Sequence, residues 1–248
     1  GGSAHSAHAS TPQATMGGTR VLIVYGSMTG NTERVVKRMA DAWKKQGKLE
    51  KVDVYDGNTL THETEDLASL VEAYDAMVVA TSSFGEGDPP DNYNQFLLNL
   101  MTAAEENKLP LKGMQHAVLG EGSSVYNTTF QNCPRLTDKY LEACGSRRFV
   151  ARHEIDVGGT EDEAIGRNLF RDVVGAALSK GLGPADAAPA AMWSEPREAH
   201  NEPVEQITIK SASELGGGAI SQTLGQKLVP LTVLTVVLLA FLYTQFIA

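Results

Sequence analysis

The chain is short of cysteine and of positive charge, and it lacks the usual nucleotide-loop signatures; each shortage excludes a class of function. Two cysteines, Cys133 and Cys144, among 248 residues cannot build a disulfide framework or, alone, a structural zinc site, so the fold must rest on a hydrophobic core. Lys and Arg number 21 against 30 Asp and Glu, a formal charge of −9, which rules out a nucleic-acid partner held by general attraction to phosphates. Neither GK followed by Ser or Thr nor GxGxxG is present in the first strand-to-helix loop, which argues against a triphosphate or a dinucleotide there. With 42% hydrophobic and 21% charged residues, the composition is that of an ordinary globular domain with chain to spare.

Four regions follow from composition and periodicity. Residues 1–18 carry Gly, Ser, Ala, Thr and His without apolar periodicity and are expected to form a disordered arm. The start at Gly1 fits a processed precursor or a cloning remnant, and His5 with His8 is read as a tail feature. Residues 19–180 alternate apolar runs with amphipathic stretches. Val21–Tyr25 and Ala76–Thr81 are continuously apolar or nearly so, as in buried parallel strands. Lys51–Tyr55, His116–Gly120 and Arg148–Asp156 complete five predicted strands; helices are predicted over Asn31–Gln46, Asn92–Ala104, Arg135–Ala143 and Asp162–Ser179. The pattern predicts an α/β domain with a doubly wound, five-stranded parallel sheet that binds ligands at the carboxyl ends of its strands. Residues 181–227 hold four of the ten prolines and a GGG run, a linker in which Gln206–Lys210 is expected to add a strand to a partner's sheet.

The last 21 residues, 228–248, contain no charged side chain. As a helix they extend roughly 31 Å, enough to cross a bilayer core, with Pro230 in the first turn. Lys227 precedes the span and nothing charged follows it, so one C-terminal transmembrane helix is expected, with the domain on the positive side. That placement is the matrix face of an organelle (mitochondrial) inner membrane, or, as the alternative, the cytosolic face of the endoplasmic reticulum.

Three loops carry the chemistry. Gly26–Thr32 (GSMTGNT) gathers Ser27, Thr29, Asn31 and Thr32 with Gly30 at a helix N-terminus, a place for one phosphate monoester held by neutral donors. Thr81–Asn92 and Gly120–Phe130 each offer glycines and one aromatic, Phe84 and Tyr126, and end at the same edge of the sheet. Two aromatics on neighbouring loops beside a phosphate site describe a slot for a flat fused ring. Glu86, Asp88 and Asp91 make an acidic rim, either a solvated loop or a docking surface for a basic redox partner. His116 and His153 are expected to be structural, and Cys133 and Cys144 inert.

Together these loops resemble the flavodoxin family, most nearly the FMN domain of diflavin reductases. The resemblance implies FMN, with its phosphate on Ser27, Met28, Thr29, Gly30, Asn31 and Thr32. Its ring would lie among Ser83, Phe84, Gly85, Gly87, Gly120, Gly122, Ser123 and Tyr126. Three positions depart from the family pattern: Phe84 for a tyrosine, Glu121 for an apolar residue near the ring, and Gly158-Gly159-Thr160 for an acidic stretch. No FAD or NADPH domain follows in this sequence. The implied role is a membrane-tethered one-electron carrier with no catalytic residues or metal of its own. Its expected partners are a separate flavin reductase or other electron donor and a membrane-bound redox acceptor, with the lipid bilayer around 228–248. The alternative is an accessory subunit of a large membrane complex, such as a respiratory complex, in which the fold persists without flavin.

Overall fold

A computed structural model describes residues 18–64, 66–158, 162–183 and 207–210 with side chains, and 222–223 as backbone. The predicted arm up to residue 17, Gly159-Thr160, most of the linker and the predicted span 228–248 lie outside the described residues. Among the described residues no helix is long and apolar enough to cross a membrane.

Strand β1 (Arg20–Gly26) is buried from Val21 onward, and it pairs in parallel with β2 (Lys51–Asp56) on one side and β3 (Ala76–Ser82) on the other. β3 in turn pairs in parallel with β4 (Gln115–Gly122). Because β1, β3 and β4 present apolar side chains to both faces, each face needs its own helical cover. On one side α1 (Asn31–Gln46) and α6 (Glu163–Ser179) bury Val36, Met39, Trp43, Phe170 and Val174 against the sheet. On the other, α4 (Asn94–Glu105) and α5 (Asn132–Ala143) bury Phe96, Leu97, Leu100, Leu136 and Leu141. Helix α1 stops where Gly47 turns left-handed (φ 64°) and donates its N–H to Lys44 O at 3.1 Å. The doubly wound parallel sheet expected from the sequence is therefore present.

Two short helices, α2 (Gly57–Glu63) and α3 (Ser69–Ala73), lie between β2 and β3 and were not predicted. Each spans too few residues to show a helical period; α2 is started by Asp56, whose carboxylate accepts the Thr59 N–H at 2.9 Å. The predicted fifth strand, Arg148–Asp156, is corrected to two pieces, β5 (Arg147–Arg148) and β6 (His153–Asp156), both paired with β4. His116 faces Arg148 and Leu119 faces His153, so Phe149–Arg152 stand against only Ala117 and Val118. The surplus chain breaks the ladder. It lets Phe149 and Val150 enter the α1/α6 side of the core while Arg148 and Arg152 both reach Asp138.

The run predicted to join a partner's sheet is also corrected, because residues 207–210 lie on this domain. Ile207 and Ile209, 1% and 4% exposed, belong to the core beside α4, each burial contributing about 1.5–3 kcal/mol. Strand β7 (Thr208–Ile209) in the same run pairs antiparallel with β8 (Gln222–Thr223).

Asp138 on α5 is 1% exposed and is surrounded by cations. Its Oδ1 lies 3.2 Å from His116 Nε2 and accepts from Arg148 Nε at 2.7 Å, while Oδ2 accepts from Arg152 Nη1 at 2.5 Å. Burial alone would raise this carboxyl; the His116 and Arg148 hydrogen bonds and the two guanidinium charges outweigh it and hold the group well below the usual carboxylate range. A lowered folded value means that the stabilisation is complete above the unfolded value of about 4 and is lost as pH falls through the folded one. Asp138→Asn is expected to destabilise the protein by about 3 kcal/mol near pH 7. Urea unfolding at a series of pH values should show the gap from wild type closing only in strong acid.

Candidate functional site

The carboxyl ends of β1, β3 and β4 open into the three predicted loops, and the first is set by a close approach. A Cβ on Gly26 would lie 2.4 Å from Thr81 Oγ1 and 2.8 Å from Tyr93 Cβ, so only glycine lets β1 end against the loop that follows β3. The chain then turns through Ser27, Met28 and Thr29 to Gly30, whose φ of +77° is left-handed. Gly30 caps α1 without a side chain, so the first-turn amides keep their hydrogens for an outside acceptor at the positive end of the helix. Thr32 is buried at 2% exposure while Thr29 and Asn31 face solvent.

Two details amend the picture of a loop of free neutral donors. The Ser27 N–H already donates to Asn92 Oδ1 at 2.9 Å, tying this loop to the next one. Arg34, one turn into α1, hydrogen-bonds Asn31 Oδ1, so a cation stands at the edge of the loop. Arg34 escaped the sequence reading because it falls outside Gly26–Thr32; its signal was the i, i+3 spacing from Asn31. Tyr25, just before the loop, has its phenol pushed up to about 12 by burial and by Glu33 and Asp56, and stays neutral.

The second and third loops form an open pocket of about 230 Å³. Ser83, Phe84 and Gly85 line one side, and Gly122, Ser123 and Tyr126 the other. Phe84 is 51% and Tyr126 63% exposed, apolar surface left uncovered on two walls of one cleft. A two-way backbone contact holds the Phe84 turn: Phe84 N–H donates to Asp88 O at 2.9 Å and Asp88 N–H to Phe84 O at 2.8 Å. The Tyr126 loop is pinned by Ser124 N–H donating to Asp156 Oδ1 at 2.8 Å.

Two predicted ring residues stand behind the pocket rather than in it. Gly120 is covered by Gln131 and Pro134, with a would-be Cβ 2.2 Å from Gln131 Oε1, and Gly87 packs on Asn132. Their glycines serve backbone packing. In their place the pocket adds Thr129, Phe130 and Gln131. Gln131 is fully buried with φ +60° and donates its Nε2–H to Ile155 O at 2.8 Å, joining the third loop to β6. Nothing in its immediate sequence marks it, because the partner is 24 residues away.

Glu121, the departure from an apolar residue near the ring, is only 3% exposed and is clasped by Arg167 of α6. Arg167 Nε donates to Oε1 at 2.8 Å and Nη2 to Oε2 at 3.3 Å. Its Nη1 pairs with Glu163 Oε2 at 2.9 Å as well, so one guanidinium is shared by two carboxylates. The acidic rim is partly engaged as well: Asp88 accepts the Thr208 N–H at 2.7 Å and Asp91 pairs with Lys210. Cys133 and Cys144 are buried free thiols pushed up by burial, to about 12 and about 11, and hence unreactive. His116 sits between Asp138 and Ser146 Oγ, and His153 stacks on Phe170, both inside the fold. An uncapped helix N-terminus and an aromatic-walled pocket at one sheet edge fit a ligand with one phosphate and one flat ring.

A sequence model of the Flavodoxin family matches residues 23–167. Among curated proteins, the chain is 34% identical over 139 residues to the bifunctional cytochrome P450/NADPH–P450 reductase 1 of Bacillus subtilis, covering 56% of this chain and 12% of that one. It is 33% identical over 150 residues to the NADPH–cytochrome P450 reductase of Homo sapiens, covering 60% and 21%. The chain thus spans about a fifth or less of the length of these relatives. A solved flavodoxin from Pseudomonas aeruginosa superposes with a TM-score of 0.51 at 23% identity, covering 65% of this chain and 99% of that one, a likeness of fold.

The coupling of Glu121 and Arg167 can be tested by stability. Arg167→Leu leaves a buried carboxylate unpaired and is expected to lower stability by about 3 kcal/mol, whereas Glu121→Leu with Arg167→Leu should fall within about 1 kcal/mol of wild type. Chemical denaturation of the four proteins in a double-mutant cycle measures both.

Proposed function

The chain belongs to the flavodoxin family, whose cofactor is FMN, and we propose that it is a membrane-tethered electron carrier working between a reductase and an acceptor in the membrane. The observation that carries the reading is the meeting, at one sheet edge, of the uncapped α1 N-terminus with the pocket between Phe84 and Tyr126. Ser27 to Thr32 would hold the phosphate through their hydroxyls and the amides other than that of Ser27, which is taken by Asn92, with the Arg34 charge beside them. Ser83 to Gly85 and Gly122 to Tyr126 would hold the ring. When bound, FMN supplies the capacity to take up and release electrons singly. The chain's own part is to bind and to orient, with Glu121 tied to Arg167 of α6. No protein acid, base or nucleophile is assigned a step.

The names of the relatives describe NADPH-dependent reduction of cytochromes by those proteins. For this chain, a reductase as donor and a membrane-bound acceptor are part of the proposal. The tether rests on the sequence of 228–248 alone, as does placement on the matrix side of an inner membrane or, alternatively, the cytosolic side of the endoplasmic reticulum. The accessory-subunit reading drew on Glu121, on the Gly158-Gly159-Thr160 departure and on the lack of a reductase domain in this sequence; the Arg167 pairing of Glu121 bears on the first of these alone.

The purified full-length protein, incubated with FMN and freed of excess, should be yellow and should bleach when a flavin reductase and its nicotinamide donor are added. A colourless protein after this treatment would refute the carrier reading. Tyr126→Ala is expected to weaken FMN binding about fivefold, near the ~1 kcal/mol of an offset stack, and more than Phe84→Ala does. Fluorescence titration of the apoproteins ranks the two, and equal affinity of Tyr126→Ala and wild type would remove the stack from the account.

A further inference from the structure

Phe84 is half exposed, so burial does not fix the wall it forms, and its loop carries three acidic residues, Glu86, Asp88 and Asp91, within six positions. Such a loop is expected to open easily unless something outside it holds it. Residues 207–210 are in the right place. Thr208 N–H donates to Asp88 Oδ1 at 2.7 Å, and Asp88 is the residue whose backbone brackets Phe84. Lys210 N–H donates to Asn94 Oδ1 at 2.8 Å, its ammonium pairs with Asp91, and its carbonyl accepts from Gln95 Nε2 at 3.0 Å. Asn94 passes the contact inward, its Nδ2–H donating to Pro90 O at 2.9 Å. Asn92, in the same loop, accepts the Ser27 N–H of the phosphate loop. The buried Ile207 and Ile209 press the segment down on either side of Thr208.

We propose that residues 207–210 are a positioning strap for the site: fastened to Asp88, Asp91 and Asn94, they hold the Phe84 wall and, through Asn92, the phosphate loop in register with each other. The strap's effect on FMN rests on the reading in the preceding subsection; its hold on the loop rests on this chain's own contacts. Two of the three rim carboxylates, Asp88 and Asp91, are engaged by the strap, so the acidic rim serves in part as an internal fastening.

Hydrogen exchange measured by mass spectrometry on the full-length apoprotein tests the strap without any flavin. In the variant Ile207→Ser/Ile209→Ser, amides across 84–94 should exchange about tenfold faster or more, while 21–26 and 76–81 keep their protection. Lys210→Glu should loosen the same loop, and adding Asp91→Lys should restore it. FMN dissociation constants should rise about tenfold in the two loosened variants and recover in the charge swap. Wild-type exchange across 84–94 after 207–210 has become fast would overturn the strap, as would a charge swap that restores nothing. A protein that shows strap-dependent exchange yet never binds FMN contradicts the carrier reading and supports the strap.

Discussion

Strands β1, β3 and β4 are buried on both faces, and the rest of the domain follows from keeping water off both. A strand with no solvent face needs helices above and below it, helices require crossover connections, and crossovers make the strands parallel. In a parallel sheet every loop that leaves a strand end opens at the same edge. The phosphate loop, the Phe84 loop and the Tyr126 loop are neighbours for that reason, although they are spread over about a hundred residues of sequence. Glycine then decides how close they come: at Gly26 and at Gly120 a single methyl would collide with the facing loop.

Charge is managed by the same logic. The protein is acidic overall, yet the carboxylates that enter the interior, Asp138, Glu154 and Glu121, each meet an arginine from a neighbouring element. Arg135 and Arg152 both contact Glu154, and Arg167 takes Glu121. Asp138 and Glu154 each have two arginines, whereas Glu121 has Arg167, so truncating Arg167 leaves a buried carboxylate unpaired. Near the pocket the pairing has a functional side, since a ring held there sees Phe84, Tyr126 and glycine backbone rather than a bare carboxylate.

Much of this was legible in the sequence, and what was not has identifiable causes. The apolar runs Val21–Tyr25 and Ala76–Thr81 announce two-faced strands, and the three glycine-bearing loops announce the site, because both signals are local. The break between β5 and β6 accompanies Arg148 and Arg152 meeting at Asp138, the clasp on Glu121 comes from Arg167, 46 residues away, and the fastening of the rim from Thr208, 120 residues from Asp88. Such pairings leave no trace in spacing. Gly87 and Gly120 were legible as places of close backbone approach, and the side chains that approach them are Asn132 at the first and Gln131 and Pro134 at the second. The span at 228–248 remains a statement about sequence.

The central claim is that one site joins a phosphate-binding end to a ring-binding slot. Calorimetric titration of the full-length apoprotein with FMN and with riboflavin, which has the ring without the phosphate, tests it directly. The account predicts one FMN per chain and riboflavin binding weaker by about a hundredfold or more, a difference of roughly 2.7 kcal/mol. Equal affinity for the two, or binding of neither, would contradict it.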